Sequence, residues 1–441
     1  MKLIFTTAII LALTATFFAQ KPGEILATAT NFNFTSASLT EEGRKLFENQ
    51  KTVVADTRTN LFLQMQNDIL LETEAKAQNI PVEKLLAAEI KKIPAPTEAE
   101  IKTVYDANRA GLGDLTLEES RKQIVEFLQR SSGQKAAQKL IESLKTKYKF
   151  AAGKDVNAAD LKPADILFGI NGKSVSAGEF EEKNKVAIND VLAEIADVIK
   201  SDLENSVFST LVTEEAKIRG IDSGSLIAAE VTNKLREFSD TERADIESGF
   251  QKKLFTKFNV KFLLKDVDPI AQDISAGDSP SQGKTAALVN VIMFSDFQCP
   301  ACSATHPILK NVLAEYGDKV RFTVRNFPLT TIHENAFQSA LAAGAANAQG
   351  KFFEYIDVLY RSQNALDKAS LTKYAADLGL NVKQFEIDLA SEKTAAGIRK
   401  DVADGKGYGI TGTPTIFVNG VKVRHLSAEG FRNAIDKVLQ K

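Results

Sequence analysis

FSDFQCPACSATH, residues 294–306, contains both cysteines of the chain, Cys299 and Cys302. The residues before it, AALVNVIMF (286–294), make a short run that is apolar except at Asn290, the mark of a strand buried at the centre of a sheet. The residues after it place Ile308, Leu309, Val312 and Leu313 at helical spacing and stop at Gly317. Cys299 therefore sits where a strand ends and a helix begins. A redox pair, a metal clip and a structural staple all use this spacing. A closed zinc site needs four ligands; a second cysteine pair is missing, and His306 would supply only a third. A staple across two residues closes a tiny loop and removes little entropy from the unfolded chain. The redox reading is the one that uses the position. Backbone N–H groups and the dipole at a helix start favour a thiolate there.

Downstream, VRFTVRNFPL (320–329) predicts a second strand, and GITGTPTIFVNGVKV (409–423) a turn and a hairpin around Asn419-Gly420. A last helix is expected over 427–440. Strand, CxxC, helix, strand, a long helical stretch, then Thr-Pro before a hairpin is thioredoxin-like topology with a helical insertion. The motifs FSDFQCPAC, FQSALAAGAANAQGKFFEYIDVLY and GITGTPTIFVNG occur in that order, and residues 285–441 resemble the DsbA-like thioredoxin family. The resemblance implies a protein thiol-disulfide oxidoreductase in which Cys299 is the nucleophile and Cys302, one turn inside the helix, the resolving thiol. The Cys299 sulfur is expected to be partly exposed. No metal or cofactor is implied beyond a redox-active Cys299–Cys302 disulfide. Pro414 matches the family's cis-proline, and the backbone of Thr413 would pair with an extended substrate strand. Pro300, which lacks an N–H, suits the first helical turn. Pro300 and Ala301 would tune the pair; lacking the histidine DsbA carries between its cysteines, the pair is expected to be moderately oxidising. Two roles fit Asp296, proton acceptor or loop-fixing group, and the second suits a residue three positions before Cys299. His306 would either modulate the thiolate or be a solvated helix residue, the reading preferred here. His333 and His425 have no local constellation.

The rest of the chain is long. Its 441 residues allow two or three domains, and 55 basic against 57 acidic side chains offer no electrostatic case for nucleic acid. MKLIFTTAIILALTATFFAQ (1–20) carries one cation, Lys2, and then an uncharged run. That pattern fits a secretory signal over 1–19, with Phe17 a poor residue for the cleavage rule; an uncleaved N-terminal anchor is the alternative. Export places the protein in the periplasm or outside the cell, where disulfides persist. Exported proteins that use cysteines for stability scatter several pairs, whereas this chain keeps one.

Two helix-rich segments precede the cysteines and resemble one another. ILLETEAKAQNIPVEKLLAAEI (69–90) aligns without gaps on TLVTEEAKIRGIDSGSLIAAEV (210–231), an offset of 141, and Ile25-Leu26 aligns on Ile166-Leu167 at the same offset. TKYKF (146–150) and TKFNV (256–260) match at an offset of 110, so the second copy is shorter by about one helix. DILFGINGKSVSAGEF (165–180) predicts a strand, a turn at Asn171-Gly172 and a return strand into a helix. Pro94 and Pro96 break the first copy. With PTEAEIKTVYDANRAG and LEESRKQIVEFLQ, this region resembles the N-terminal domain of SurA-like and PrsA-like foldases, without their parvulin module. The expected organisation is a signal over 1–19, a helical repeat over 20–151, a shorter repeat over 152–265, an exposed Asp/Ser/Gly/Pro-rich linker over 266–284 and the thioredoxin-like domain over 285–441. The fold class is a thioredoxin-like α/β fold behind a mostly α-helical, duplicated region.

Together these readings predict an exported oxidoreductase acting on reduced or unfolded exported proteins. A membrane quinone-linked thiol oxidase would be its redox partner. The N-terminal region would bind clients or form a homodimer. A disulfide isomerase or reductase kept reduced, and a holdase with a vestigial redox domain, are the alternative readings.

Overall fold

The structure, a computed structural model, describes residues 23–330 and 332–440. The leader expected at 1–19 lies outside the described residues. The chain divides after Val267 into two compact units. No described helix is long and apolar enough to cross a membrane.

The first unit begins with a hairpin, β1 (Ile25–Ala29) and β2 (Phe32–Thr35), followed by a long helix, α1 (Glu41–Gln78). The helix starts where the Thr40 side chain accepts the Gly43 N–H, and it ends at Asn79 in the left-handed region, φ 53°. Then come α2 (Val82–Ile90), α3 (Glu98–Ala107), α4 (Arg109–Leu112) and α5 (Leu117–Lys147). Pro94 and Pro96 fall in the break between α2 and α3. Thr97 with Glu100, and Thr116 with Glu119, form the capping boxes that restart the helices. The first half ends at β3 (Ala151–Ala152), and the second runs β4 (Ile166–Ile170), β5 (Lys173–Ser176), α6 (Ala177–Arg219), α7 (Ser223–Glu230), α8 (Asp240–Lys257) and β6 (Lys261–Phe262). Ser176 and Glu179 cap α6, which ends at Gly220, φ 70°, the position equivalent to Asn79 in the repeat.

The hairpins share one register. Ile25 faces Thr35 and Ala29 faces Phe32 in the first; Ile166 faces Ser176 and Ile170 faces Lys173 in the second, each pair displaced by the same offset as the sequence repeat. Both carry an irregularity just after the first pair. The third strand of each sheet comes from the other half. β6, at the end of the second half, adds to β1 (Ala27 opposite Phe262). β3, at the end of the first half, adds to β4 (Ala152 opposite Phe168). The halves thus exchange strands. One core runs through both, with Leu26, Phe34, Leu70, Phe168, Phe180 and Leu203 all buried. Arg58 of α1 joins Glu181 of α6 at 2.5 Å. Matching buried carboxylates close each half: Glu74 accepts from Lys147 Nζ at 2.6 Å and from the Tyr148 hydroxyl at 2.7 Å. Glu215 accepts from Lys257 Nζ at 2.5 Å and from Arg219 Nε at 2.7 Å.

The second unit is a five-stranded sheet. β7 (Ser281–Gln282), β8 (Val289–Ser295), α9 (Pro300–Tyr316) and β9 (Val320–Asn326) come first. Five helices follow, α10 (Ala336–Ala348), α11 (Phe352–Arg361), α12 (Lys368–Asp377), α13 (Val382–Leu389) and α14 (Glu392–Gly407). The hairpin β10 (Thr415–Val418) and β11 (Val421–Lys422) and the last helix, α15 (Ala428–Leu439), complete the unit. The strand order is β11–β10–β8–β9–β7, with β8 and β9 parallel and α9 as their crossover. Alternate residues of β8 enter different cores. Val291 and Met293 face the larger one with Leu309, Ile356 and Phe431; Ile292 and Phe294 face a smaller one with Phe327, Ile410 and Phe417. That is why both faces of the strand are apolar, with Asn290 the exception.

The segment 266–284, expected as an exposed linker, is instead built into the second unit from Asp268 onward. Ser281–Gln282 pairs with β9 as an edge strand. The Gln272 N–H donates to the Gly420 carbonyl at 2.9 Å, and the Ser275 carbonyl accepts from Arg325 Nη1 at 3.1 Å. Gly420 permits this approach: its φ is +79°, and a Cβ there would fall 1.9 Å from the Gln272 oxygen. The polar composition that suggests a linker serves turns that wrap the domain.

Candidate active site

Ser295 ends β8, three residues turn the chain, and Cys299 occupies the N-cap of α9 with extended backbone angles, φ −75° and ψ 121°. Pro300 is the first helical residue, exposed, and Ala301 follows it on the surface. Both cysteines are free thiols. Cys302 is fully buried. Cys299, whose sulfur was expected to be partly exposed, is only 6 % exposed. The loop before β10 covers it. The Thr413–Pro414 peptide is cis, and the Thr413 carbonyl oxygen lies 3.4 Å from Cys299 Sγ.

The two thiols are driven apart electrostatically. A hydrogen bond from Cys302 does most to lower Cys299, helped by the Cys302 N–H, the Thr413 side chain and the Ala301 N–H, against the opposing effect of burial. Its pKa falls from an ordinary value near 9 to about 5. Burial pushes Cys302 strongly upward, and so does donating a hydrogen bond to Cys299; the Asp296 N–H and the Ser295 and Thr413 side chains oppose this. At neutral pH the first sulfur is an anion and the second a thiol.

The depressed value also ties stability to pH. Folded Cys299 holds its proton less tightly than unfolded Cys299. Its stabilisation of the reduced chain is therefore complete above about pH 9 and is lost as pH falls towards about 5. The unfolding midpoint of the reduced chain is expected to exceed that of Cys299→Ser by a margin that widens from pH 5 to pH 9. A margin independent of pH over that window would contradict the assignment.

Asp296 is buried and fully engaged. Its Oδ1 accepts the Gln298 N–H at 2.8 Å; its Oδ2 accepts the Leu329 N–H at 2.9 Å and faces His333 Nδ1 at 2.7 Å. These contacts fasten the loop before Cys299 to the loop after β9, and the Gln298 side chain does the same by accepting the Asn335 N–H at 2.7 Å. His333, read from sequence as lacking a constellation, thus joins the site. Nothing local could have signalled it, since the helix α9 and the strand β9 separate it from Asp296.

His306 is a second correction. Rather than a solvated residue, it is buried, its ring 4.7 Å from that of Tyr360 and its Nδ1 3.6 Å from Asp357 Oδ1. Burial lowers its pKa to about 4 despite Asp357, so it is neutral at physiological pH. It lines a cavity of about 310 Å³ with Lys310, Phe322, Phe353 and Asp357. His425 lies elsewhere, its carbonyl crowding Gly430 at the start of α15.

Sequence reasoning also passed over the end of α11. Gln363 Nε2 donates to the carbonyls of Phe297 at 3.0 Å and Cys299 at 2.8 Å. The Tyr360 carbonyl accepts from Ser303 Oγ at 2.7 Å, and its hydroxyl meets Ser295 Oγ at 2.6 Å. The helical insertion therefore holds the CPAC loop from one side and the cis-proline loop covers it from the other.

Residues 275–437 match the thioredoxin family. The second unit is a thioredoxin-like domain carrying a CxxC pair at the start of its first helix. Curated relatives include Na(+)/H(+) antiporter NhaA 3 of Salinispora tropica, 39 % identical over 139 residues, which are 32 % of this chain and 21 % of that protein. Another is Na(+)/H(+) antiporter NhaA 1 of Mycolicibacterium vanbaalenii, 32 % identical over 162 residues, 36 % of this chain and 25 % of that one. The chain thus spans only about a fifth to a quarter of the length of these relatives. Similar solved structures include a thioredoxin-like oxidoreductase from Silicibacter pomeroyi (23 % identity, 37 % of this chain, 94 % of that chain, TM-score 0.35). BdbD from Bacillus subtilis is similar as well (22 % identity, 40 % and 100 % coverage, TM-score 0.35).

Proposed function

We propose that the chain is an exported thiol-disulfide oxidoreductase of the DsbA-like kind, which passes a Cys299–Cys302 disulfide to reduced, unfolded proteins. One observation carries this reading: a thiolate-favouring Cys299 beside a Cys302 that burial keeps protonated. A stabilised thiolate stabilises the reduced form, and a pair whose reduced form is stabilised is an oxidant. A client thiolate attacks Cys299 in the disulfide and Cys302 leaves. A second client thiolate then attacks the client sulfur of the mixed disulfide and releases Cys299 as its stable anion. The backbone of Thr413, beside Cys299, is the edge along which an extended client strand would lie. A membrane quinone-linked oxidase would restore the disulfide. The antiporter activity of the curated relatives is not part of the proposal.

For the first unit we propose a duplicated SurA-type fold that handles clients. Strand exchange favours this over dimerisation, because each half already finds inside the chain the partner that a second subunit would supply. The whole reading is tested by mixing the oxidised chain with a reduced, unfolded protein that has native disulfides. Cys299 and Cys302 should appear as alkylatable thiols while the client loses two. A pair that stays oxidised as the client remains reduced would contradict it.

A further inference from the structure

Cys302 must carry negative charge each time the pair reacts, yet it is the more deeply buried of the two sulfurs. The Asp296 N–H and the Ser295 side chain are the groups that favour its charge. Ser295 is distinctive among these because its hydroxyl has a second partner, Tyr360 OH, at 2.6 Å. Tyr360 is held from several sides. Its carbonyl accepts from Ser303 Oγ at 2.7 Å, the Phe297 ring lies 5.5 Å away edge-on, and the neutral His306 ring lies 4.7 Å away on a tilted plane. The next turn is fixed by Gln363, which donates to the carbonyls of Phe297 and Cys299. Tyr360 is buried, and burial raises its phenol above its ordinary value, so it keeps its proton; either hydroxyl of the pair can be the donor. When Tyr360 donates, Ser295 has its own hydrogen free for sulfur. Hydrogen bonds in series polarise one another, most of all towards an anion in a water-free site.

We propose that Tyr360 is a positioning residue for disulfide exchange, acting through Ser295, which donates a hydrogen bond to the Cys302 sulfur as it becomes an anion. The inference rests on the oxidoreductase reading and deepens it. In the forward step a client thiolate attacks Cys299 Sγ and forms a new S–S bond. The Cys299–Cys302 bond breaks and its electron pair goes to Cys302 Sγ. The client sulfur is oxidised and the Cys302 sulfur reduced. Ser295 stabilises the charge without giving up its proton, and the Cys302 thiolate then takes a proton from water. The helical insertion, which supplies Tyr360, thereby becomes part of the reaction and not only its cover.

The test is reduction of the oxidised full chain by reduced glutathione, followed by acid quench and alkylation because the chain has no Trp. Tyr360→Phe, which removes one oxygen from a packed ring, and Ser295→Ala should each slow this step about tenfold, the worth of one hydrogen bond to a charged group. The double variant should be no slower than Ser295→Ala alone, because the groups act in series. The pH profile of Cys299 alkylation in the reduced chain should stay that of the wild type, a result that general loosening of the loop would not give. Tyr360→Phe at the wild-type rate, multiplying effects in the double variant, or a displaced Cys299 profile would each overturn the proposal. A wild-type disulfide that exchanges with neither glutathione nor a reduced protein would sink the oxidoreductase reading itself, and the proposal with it.

Discussion

Cys302→Ser treated with glutathione disulfide at pH 7 is expected to accumulate a stable mixed disulfide at Cys299, while Cys299→Ser stays unmodified at Cys302. The wild-type chain should instead finish with Cys299 and Cys302 joined and two glutathiones released. The asymmetry follows from the site. Cys299 titrates near 5 and is an anion at neutral pH. Cys302 is pushed above an ordinary value near 9, so less than about 1 % of it is thiolate at pH 7, and no sulfur surface is open to attack. Removing Cys302 also removes the largest stabiliser of the Cys299 anion. The Cys302→Ser variant should therefore react more slowly than the wild type in its first step. The helix N–H groups and the Thr413 side chain remain, so its reaction should still exceed that of Cys299→Ser by about 100-fold, the ratio of thiolate fractions. Mass spectrometry of the quenched variants reads this directly. Equal modification of the two single-cysteine chains would mean that the CPAC pair has no nucleophile of its own.

The largest expected effect on stability lies away from the cysteines, at Asp401. Arg325 is a fully buried arginine near the end of β9. Its Nε donates to Asp401 Oδ1 at 2.9 Å, its Nη2 reaches Asp404 Oδ2 at 2.5 Å, and its guanidinium lies 5.0 Å from the centre of the Phe294 ring. Asp401 also accepts from the Asn326 N–H at 3.0 Å, from Asn326 Nδ2 at 3.1 Å and from Ser279 Oγ at 3.2 Å. Asp401→Ala would leave a buried cation short of one counter-charge and strand two donors of Asn326. The cost of breaking such a pair from one side is about 3–5 kcal/mol. A urea titration should show the second unit unfolding at markedly lower concentration, and proteolysis should begin within 268–284, which this network holds down. A loss below about 1 kcal/mol would show that Asp404 suffices alone.

Much of the second unit is legible because its signals are local. A strand buried on both faces must be apolar at every position, and VNVIMF nearly is, with Asn290 its one polar residue. A hairpin turn of two residues with positive φ calls for Asn-Gly, and Asn419 and Gly420 have φ of 45° and 79°. Pro300 at the first helical position and Gly317 at its end frame α9. The same holds in the first unit, where T-x-x-E at Thr97 and Thr116 and S-x-x-E at Ser176 became capping boxes. The linker was misread because Asp, Ser, Gly and Pro serve tight turns against a domain as well as free chain. His306 was misread because a helix face is solvent or core depending on what lies across it, and here the helical insertion lies across it.

Local sequence was enough for the CPAC pair, its place between strand and helix, the thioredoxin-like order of elements, and the two matching hairpin-and-helix segments. These depend on neighbours within a turn or a strand pair, where side-chain period and capping decide. It took the folded chain to bring His333 to Asp296 and Tyr360 to Ser295, to tie residues 268–284 down through Arg325, and to exchange the last strands between the two halves of the first unit. Backbone hydrogen bonds are the same whichever copy supplies the third strand, so the matching segments carry no record of the exchange. Contacts between residues this distant in sequence are set by the path of the chain, and one stretch of sequence does not contain that path.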